Sequence, residues 1–129
     1  MKAKVKLVDG FTIVELSGYL DYESAPRIKQ SIRGLFSDNA QAQVLIDIKD
    51  LQFVGSTGVS TFVKDMKAFN TLKMKPFYYG VKSEFLKLFR AFEDDDDTFE
   101  VMQNEQEATD AAQTRRSKWL EKQARKKIP

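Results

Sequence analysis

Apolar and polar positions alternate from the first residues: Ala3, Val5 and Leu7 are interleaved with Lys2, Lys4 and Lys6. Period-two alternation predicts a half-buried strand over residues 2–8, and its lysines suit a sheet edge. Asp9-Gly10 is a two-residue hairpin signal. A second, more uniformly apolar strand is expected over 11–16, with Gly18 ending it. The period then changes. Ile28, Ile32 and Leu35 recur at helical spacing, Pro26 falls where a first helical turn tolerates it, and Ser24 can cap. These features predict a helix over 24–36. The run Gln43-Val44-Leu45-Ile46-Asp47-Ile48 reads as a central parallel strand, with a loop over 49–55 behind it. Val59, Phe62, Val63 and Met66 form the inward face of a helix over 56–69. A strand follows over 76–79, then a helix over 83–92 carrying Phe85, Leu86, Phe89 and Phe92, a solvated turn of aspartates at 94–97, and a last strand over 98–102. Asn104, with Glu107 three residues on, resembles a capping box and opens a final helix.

The predicted order is therefore β-β-α-β-α-β-α-β-α. Crossover helices of this length imply a mostly parallel central sheet with helices packed on it, an α/β fold. With 129 residues and 42% hydrophobic content, one domain with a real core is expected. The composition breaks near Thr114, dividing the chain into a domain over 1–113 and a basic C-terminal extension over 114–129, expected to be a frayed helix or disordered.

Charge sharpens that division. Residues 115–129 carry seven basic side chains and one acidic one, against 14 basic and 18 acidic in the remainder, so a mildly acidic body carries a basic tail. An acidic partner surface, a membrane or nucleic acid are the contacts such a tail could make. Cysteine and histidine are both absent. That removes disulfides, thiolate metal sites and thiol catalysis, and with histidine the commonest general base and neutral metal ligand. No catalysis, metal or cofactor is expected. The N-terminal segment has no continuous apolar stretch of the signal-peptide kind. No run reaches the roughly 18 apolar residues of a membrane span. A cytoplasmic location is expected.

The candidate chemistry lies in Asp50-Leu51-Gln52-Phe53-Val54-Gly55-Ser56-Thr57-Gly58. A buried strand ends, the chain turns through glycine, and a hydroxyl pair opens a helix. Strand carboxyl ends are where open α/β sheets place their sites. A helix N-terminus favours added negative charge, so a phosphate on Ser56 or Thr57 would be stabilised there. By local rules alone Ser56 is an N-cap and the glycines are turn residues. The lysine and glycine spacing of a nucleotide P-loop are missing.

Three segments in this order resemble the STAS domain family, in its anti-sigma factor antagonist form, over residues 4–112. Leu16-Ser17-Gly18-Tyr19-Leu20-Asp21 is similar to the family's second strand and its Gly-x-Leu-Asp exit. Residues 44–53 are similar to the strand and Asp-Leu-x-x-Phe loop before its switch. Gly55-Ser56-Thr57-Gly58 is similar to its Asp-Ser-Ser/Thr-Gly motif. The resemblance implies a non-catalytic interaction switch that regulates transcription. Ser56 would be the phospho-acceptor with Thr57 beside it, and Asp21, Gly55 and Gly58 would complete the partner-binding surface. The implied partner is an anti-sigma factor that is also a serine kinase, of the histidine-kinase-like ATPase class, with a phosphatase as a further partner. No direct nucleic acid binding is implied. Gly55 departs from the pattern, standing where the family usually has Asp. Either a kinase recognises Ser56 differently, or phosphorylation has been lost while binding persists.

Two other readings stand beside this one. The domain could be a scaffold in a signalling complex, unphosphorylated at Ser56, or it could hold a nucleotide or lipid in a cleft. Asp47 and Asp50 flank a strand end and read as structural acids, since a hard cation needs several converging oxygens. Phe85, Phe89 and Phe92 read as core, with one or two rings free to face a partner.

Overall fold

The computed structural model describes residues 1–21, 23–38 and 42–126, the side chains of Asp38 and Ser56 excepted. Five strands form one sheet in the order β1-β2-β3-β4-β5: β1 (Lys2–Val8), β2 (Phe11–Leu20), β3 (Val44–Phe53), β4 (Phe77–Tyr79) and β5 (Glu100–Met102). The first pair is antiparallel and the others are parallel. The hairpin turns at Asp9-Gly10 with both residues at positive φ, 53° and 81°, the primed geometry that matches strand twist.

Each of β2, β3 and β4 is followed by a crossover helix: α1 (Ala25–Asp38), α2 (Gly55–Lys67) and α3 (Ser83–Ala91). The strands are laid down in one direction across the sheet, so crossovers of one hand put all three helices on one face. There Ile28 and Ile32 of α1, Val59, Phe62, Val63 and Met66 of α2 and Phe89 of α3 pack on Val14, Leu16, Ile46, Ile48 and Tyr78. Phe89 lies edge-on to Phe99 and Phe62 at 4.9 and 6.5 Å between ring centres. The other face is covered, among the described residues, by α4 (Glu105–Lys126), through Ala108 and Ala112 on Ile13, Leu45, Phe77 and Tyr79. Alanines bring a helix backbone close to a sheet that carries the bulk itself. Asn104 opens α4 as expected, its Oδ1 accepting the Glu107 N–H at 2.9 Å.

Several expectations change. Ala3, Val5 and Leu7 do not enter the core: Leu7 is 76% exposed and Val5 53%. Their face is the one the three helices cover, but that cover does not extend to the edge strand. Gly18 does not end β2. The register shifts between Glu15 and Ser17 and pairing resumes to Leu20. The segment expected as a loop from residue 49 is instead the second half of β3, paired to Phe53. Asp97 is held between solvent and core, with Lys67 Nζ 3.8 Å away and 2.8 Å from Asp94.

Residues 114–126 continue the same helix without a break. Arg116 donates to the carbonyls of Asp9 and Gly10 at 3.0 and 2.9 Å and lies 4.0 Å over the Phe11 ring. Arg115 donates to the Lys75 carbonyl and to Gln43 Oε1, with its guanidinium 4.1 Å over the Phe77 ring. Burial pushes the Arg115 pKa down, and the nearby Glu100 carboxylate opposes this.

Candidate functional site at the start of α2

The site is built where β2 and β3 end side by side. Leu20 pairs with Phe53, and the next amide, Val54 N–H, donates to the Leu20 carbonyl at 2.9 Å. Val54 precedes α2 in extended conformation and its side chain offers no cap. Gly55 then takes φ +74°, a region where an L side chain is strained. Space itself is not the constraint there, because a Cβ would meet nothing within 4 Å. Ser56 and Thr57 fall in the first turn. Val54 occupies the N-cap position, so Ser56 does not, contrary to the local rule; the Ser56 side chain lies outside the described residues. Gly55 and Thr57 are exposed. The first turn of α2 contains no acidic residue, and its first N–H groups have no intrahelical acceptor. The result is an exposed helix end that no side chain among the described residues caps, with a positive dipole terminus and hydroxyl residues within it.

Gly58 has a different part. It is buried, and a Cβ there would lie 3.0 Å from the Leu20 oxygen and 3.5 Å from Asp21 Cα. Its missing side chain lets α2 sit directly on the exit of β2. That contact brings Asp21 to the foot of α2. The Asp21 carboxylate is already engaged: Oδ1 accepts from the Ser24 amide at 2.9 Å and from Ser24 Oγ at 2.8 Å. These bonds hold its pKa below the usual aspartate value, the hydroxyl bond contributing most. Ser24, expected as the cap of α1, thus works as half of a reciprocal pair with Asp21, whose own N–H donates to Ser24 Oγ at 3.2 Å.

Structure thus gathers Asp21, Gly55, Thr57, Gly58 and the backbone of Ser56. It also adds two exposed residues that the sequence reading passed over, Tyr19 at 66% and Val54 at 53%. Both sit on the same strand ends, and their signal was available: an aromatic and a β-branched residue beside glycines at a strand exit. Phe53 closes the site from below, packed edge-on to Phe85 of α3 at 4.7 Å. Phe89 is core, and Phe85 and Phe92 are half-buried.

The remaining acids form no ion site. Asp47 is buried beside Tyr79 and accepts from the Lys49 N–H at 3.0 Å, while Asp50 is exposed. Among the described residues there is no metal-ligating cluster and no helix long and apolar enough to cross a membrane.

The STAS domain family model matches residues 2–108. The chain belongs to the STAS domain family. A serine-to-glutamate variant of RsbS from Moorella thermoacetica superimposes with TM-score 0.66 at 18% identity, covering 88% of this chain and 97% of that one. The anti-sigma factor antagonist SpoIIAA in its unphosphorylated form gives 0.63 at 18%, covering 87% and 98%. The Bacillus cell fate determinant SpoIIAA in its phosphorylated form gives 0.60 at 18%, covering 86% and 99%. A search of curated proteins gives no match. At this identity the structural likeness establishes a STAS fold of the SpoIIAA type. The matched region stops at Ala108, so most of α4 lies beyond it.

Proposed function

We propose that this STAS domain is a non-catalytic interaction switch that binds a kinase-type anti-sigma factor and is controlled by phosphorylation of Ser56. The observation that carries the reading is the exposed start of α2, which Val54 leaves without a side-chain cap, with Gly55 and Thr57 accessible and Asp21 at its foot. The existence of SpoIIAA in phosphorylated and unphosphorylated forms supports it. The kinase belongs to the histidine-kinase-like ATPase class, and a phosphatase reverses the mark. By this reading the protein works in the cytoplasm of a bacterium and acts on transcription through the sigma factor its partner releases.

Phosphate adds about −1.5 to −2 charges and a large hydration demand. At the free end of α2 that charge is favoured by the helix dipole, so the unbound protein accepts it. In a packed interface it costs desolvation and repulsion. A coupling of about 3 kcal/mol, roughly a hundredfold in affinity, would release the partner.

A second reading, an unphosphorylated STAS scaffold, draws on Gly55. The acceptor lacks the neighbouring carboxylate, and the left-handed backbone at that position strains any side chain put there. One experiment separates the two readings. Wild type and Ser56→Asp are used as baits in native extract, and the purified wild type is incubated with the captured ATPase and ATP. Capture by wild type alone, with a phosphate mass shift on Ser56, supports the switch. Identical partners on both baits and no mass shift would sink it in favour of the scaffold.

A further inference from the structure

β1 is an open edge of the sheet: β2 pairs along one side of it, and among the described residues nothing pairs along the other. The hairpin fixes which backbone groups are left free. A two-residue turn closes on a pair that exchanges both hydrogen bonds, here Val8 with Phe11, and bonded and non-bonded pairs alternate from there. Lys6, Lys4 and Lys2 therefore bond to β2, whereas Ala3, Val5 and Leu7 turn their N–H and C=O groups outward. The same alternation sorts the side chains. Ala3, Val5 and Leu7 lie on the face of Val14 and Leu16, and all three are exposed, Val5 by 53% and Leu7 by 76%. The lysines lie on the α4 face, where Lys6 is already held by Glu15 at 2.9 Å and Glu105 at 3.6 Å. Lys2 and Lys4 are exposed and form no ion pair among the described residues. The edge thus combines outward backbone donors and acceptors, an uncovered apolar row on one face and two unanswered cations on the other.

We propose that the β1 edge is a docking surface for an extended segment of a partner protein in which apolar and acidic residues alternate. Such a segment extends the sheet by one strand beyond β1. Its backbone takes up the outward groups of Ala3, Val5 and Leu7. Its apolar side chains cover Val5 and Leu7, and its carboxylates meet Lys2 and Lys4 across the strands. Each part of the edge selects one property of the occupant: the free backbone groups a strand, the exposed row an apolar residue at every second place, the cations an acid in between. A second copy of this chain fails on charge. Paired antiparallel about Val5, each copy would set its Lys4 against Lys6 of the other, and like charges across strands repel. A lipid surface or a nucleic acid would meet the lysines and bring no strand to the outward amides. An edge whose lysines served only to keep strands away would have no use for Val5 and Leu7 in water.

The test titrates the full chain with a synthetic peptide of alternating valine and glutamate, as long as β1 (7 residues). Amide hydrogen exchange is followed residue by residue by NMR. Without peptide, the amides of Lys4 and Lys6 are expected to be protected and those of Ala3, Val5 and Leu7 to exchange freely. With saturating peptide, exchange at those three should slow about tenfold or more. Val5→Pro deletes an N–H that points away from β2, a position where an edge strand accepts proline, and should weaken peptide binding about tenfold or more. Lys2→Glu with Lys4→Glu should weaken it as much, since both charges turn repulsive. Thermal melts confirm that each variant is folded. Unchanged exchange at the three amides, equal binding of a valine–lysine peptide, or indifference to either variant would each overturn the proposal. So would protection of the three amides in the chain alone that rises with its concentration, which would assign the edge to a second copy. Tighter binding of phosphatidylglycerol vesicles or a single-stranded oligonucleotide that survives Val5→Pro would overturn it as well.

Discussion

If α4 beyond residue 113 is part of the folded body, Arg115→Ala must destabilise the whole domain. The side chain makes two hydrogen bonds from a cationic donor, to the Lys75 carbonyl and Gln43 Oε1, and stacks on Phe77. Bonds to charged groups contribute about 1.5–3 kcal/mol each, and the carbonyl loses this donor in the variant. The stacked cation adds about 0.5–1 kcal/mol. Against this, alanine releases about 2 kcal/mol of immobilised rotamer entropy and ends the desolvation that holds the guanidinium pKa down. The net expectation is a loss of about 2 kcal/mol. For a domain of this size that lowers Tm by roughly 6–8 °C. The assay is a circular dichroism melt beside Arg125→Ala, an exposed residue of the same helix, expected to change stability by less than about 0.5 kcal/mol. If Arg115→Ala melts within about 2 °C of wild type, as a surface substitution would, the anchoring argument fails and the tail is a passenger.

Two further predictions concern the start of α2. Gly55→Asp restores the family's usual acid at a φ of +74°; the left-handed backbone costs about 1 kcal/mol, and the helix N-terminus returns about 0.3–1 kcal/mol. Urea midpoints should therefore place it slightly below wild type and above Gly55→Asn, which has the strain without the charge; equal midpoints for Asp and Asn would remove the dipole from the account. Asp21 has a folded pKa below its unfolded value because of Ser24, so its contribution is present above the unfolded pKa and disappears as pH falls through the folded one. Carboxyl NMR titration should show the Asp21 pKa rising toward the ordinary aspartate value in Ser24→Ala; an unchanged value would mean that other groups set it.

Much of this architecture could be read before the structure, because local rules and tertiary packing agree over most of the chain. Asp9-Gly10 and Asn104 with Glu107 carry their own turn and cap chemistry, and Val59, Phe62, Val63 and Met66 announce a buried helix face. The misreadings share a cause: each depends on what lies across from the residue. Lys49, Asp50 and Gln52 look like loop residues, yet they belong to a strand, with Leu51 buried on the side the helices cover. Val5 and Leu7 look like core, yet none of the described residues covers the edge strand and both stay exposed. Arg115 and Arg116 look like a solvated tail because the carbonyls they bond belong to residues 40 and more than 100 positions away. At the candidate site, the motif order pointed to Asp21 and Gly55 to Gly58. It could not show that Gly58 faces inward or that Val54 holds the cap position.

The seat of Gly58 on Leu20 also bears on how a signal could leave this site. Two fasteners hold the first turn of α2 to the end of β2: the close backbone approach at Gly58 and the Val54–Leu20 hydrogen bond. Neither involves a side chain that a charge could draw away. A helix fixed in this manner does not act as a lever. A modification on its first turn repaints a rigid face without reshaping it, so any message passes only to a molecule that touches that face.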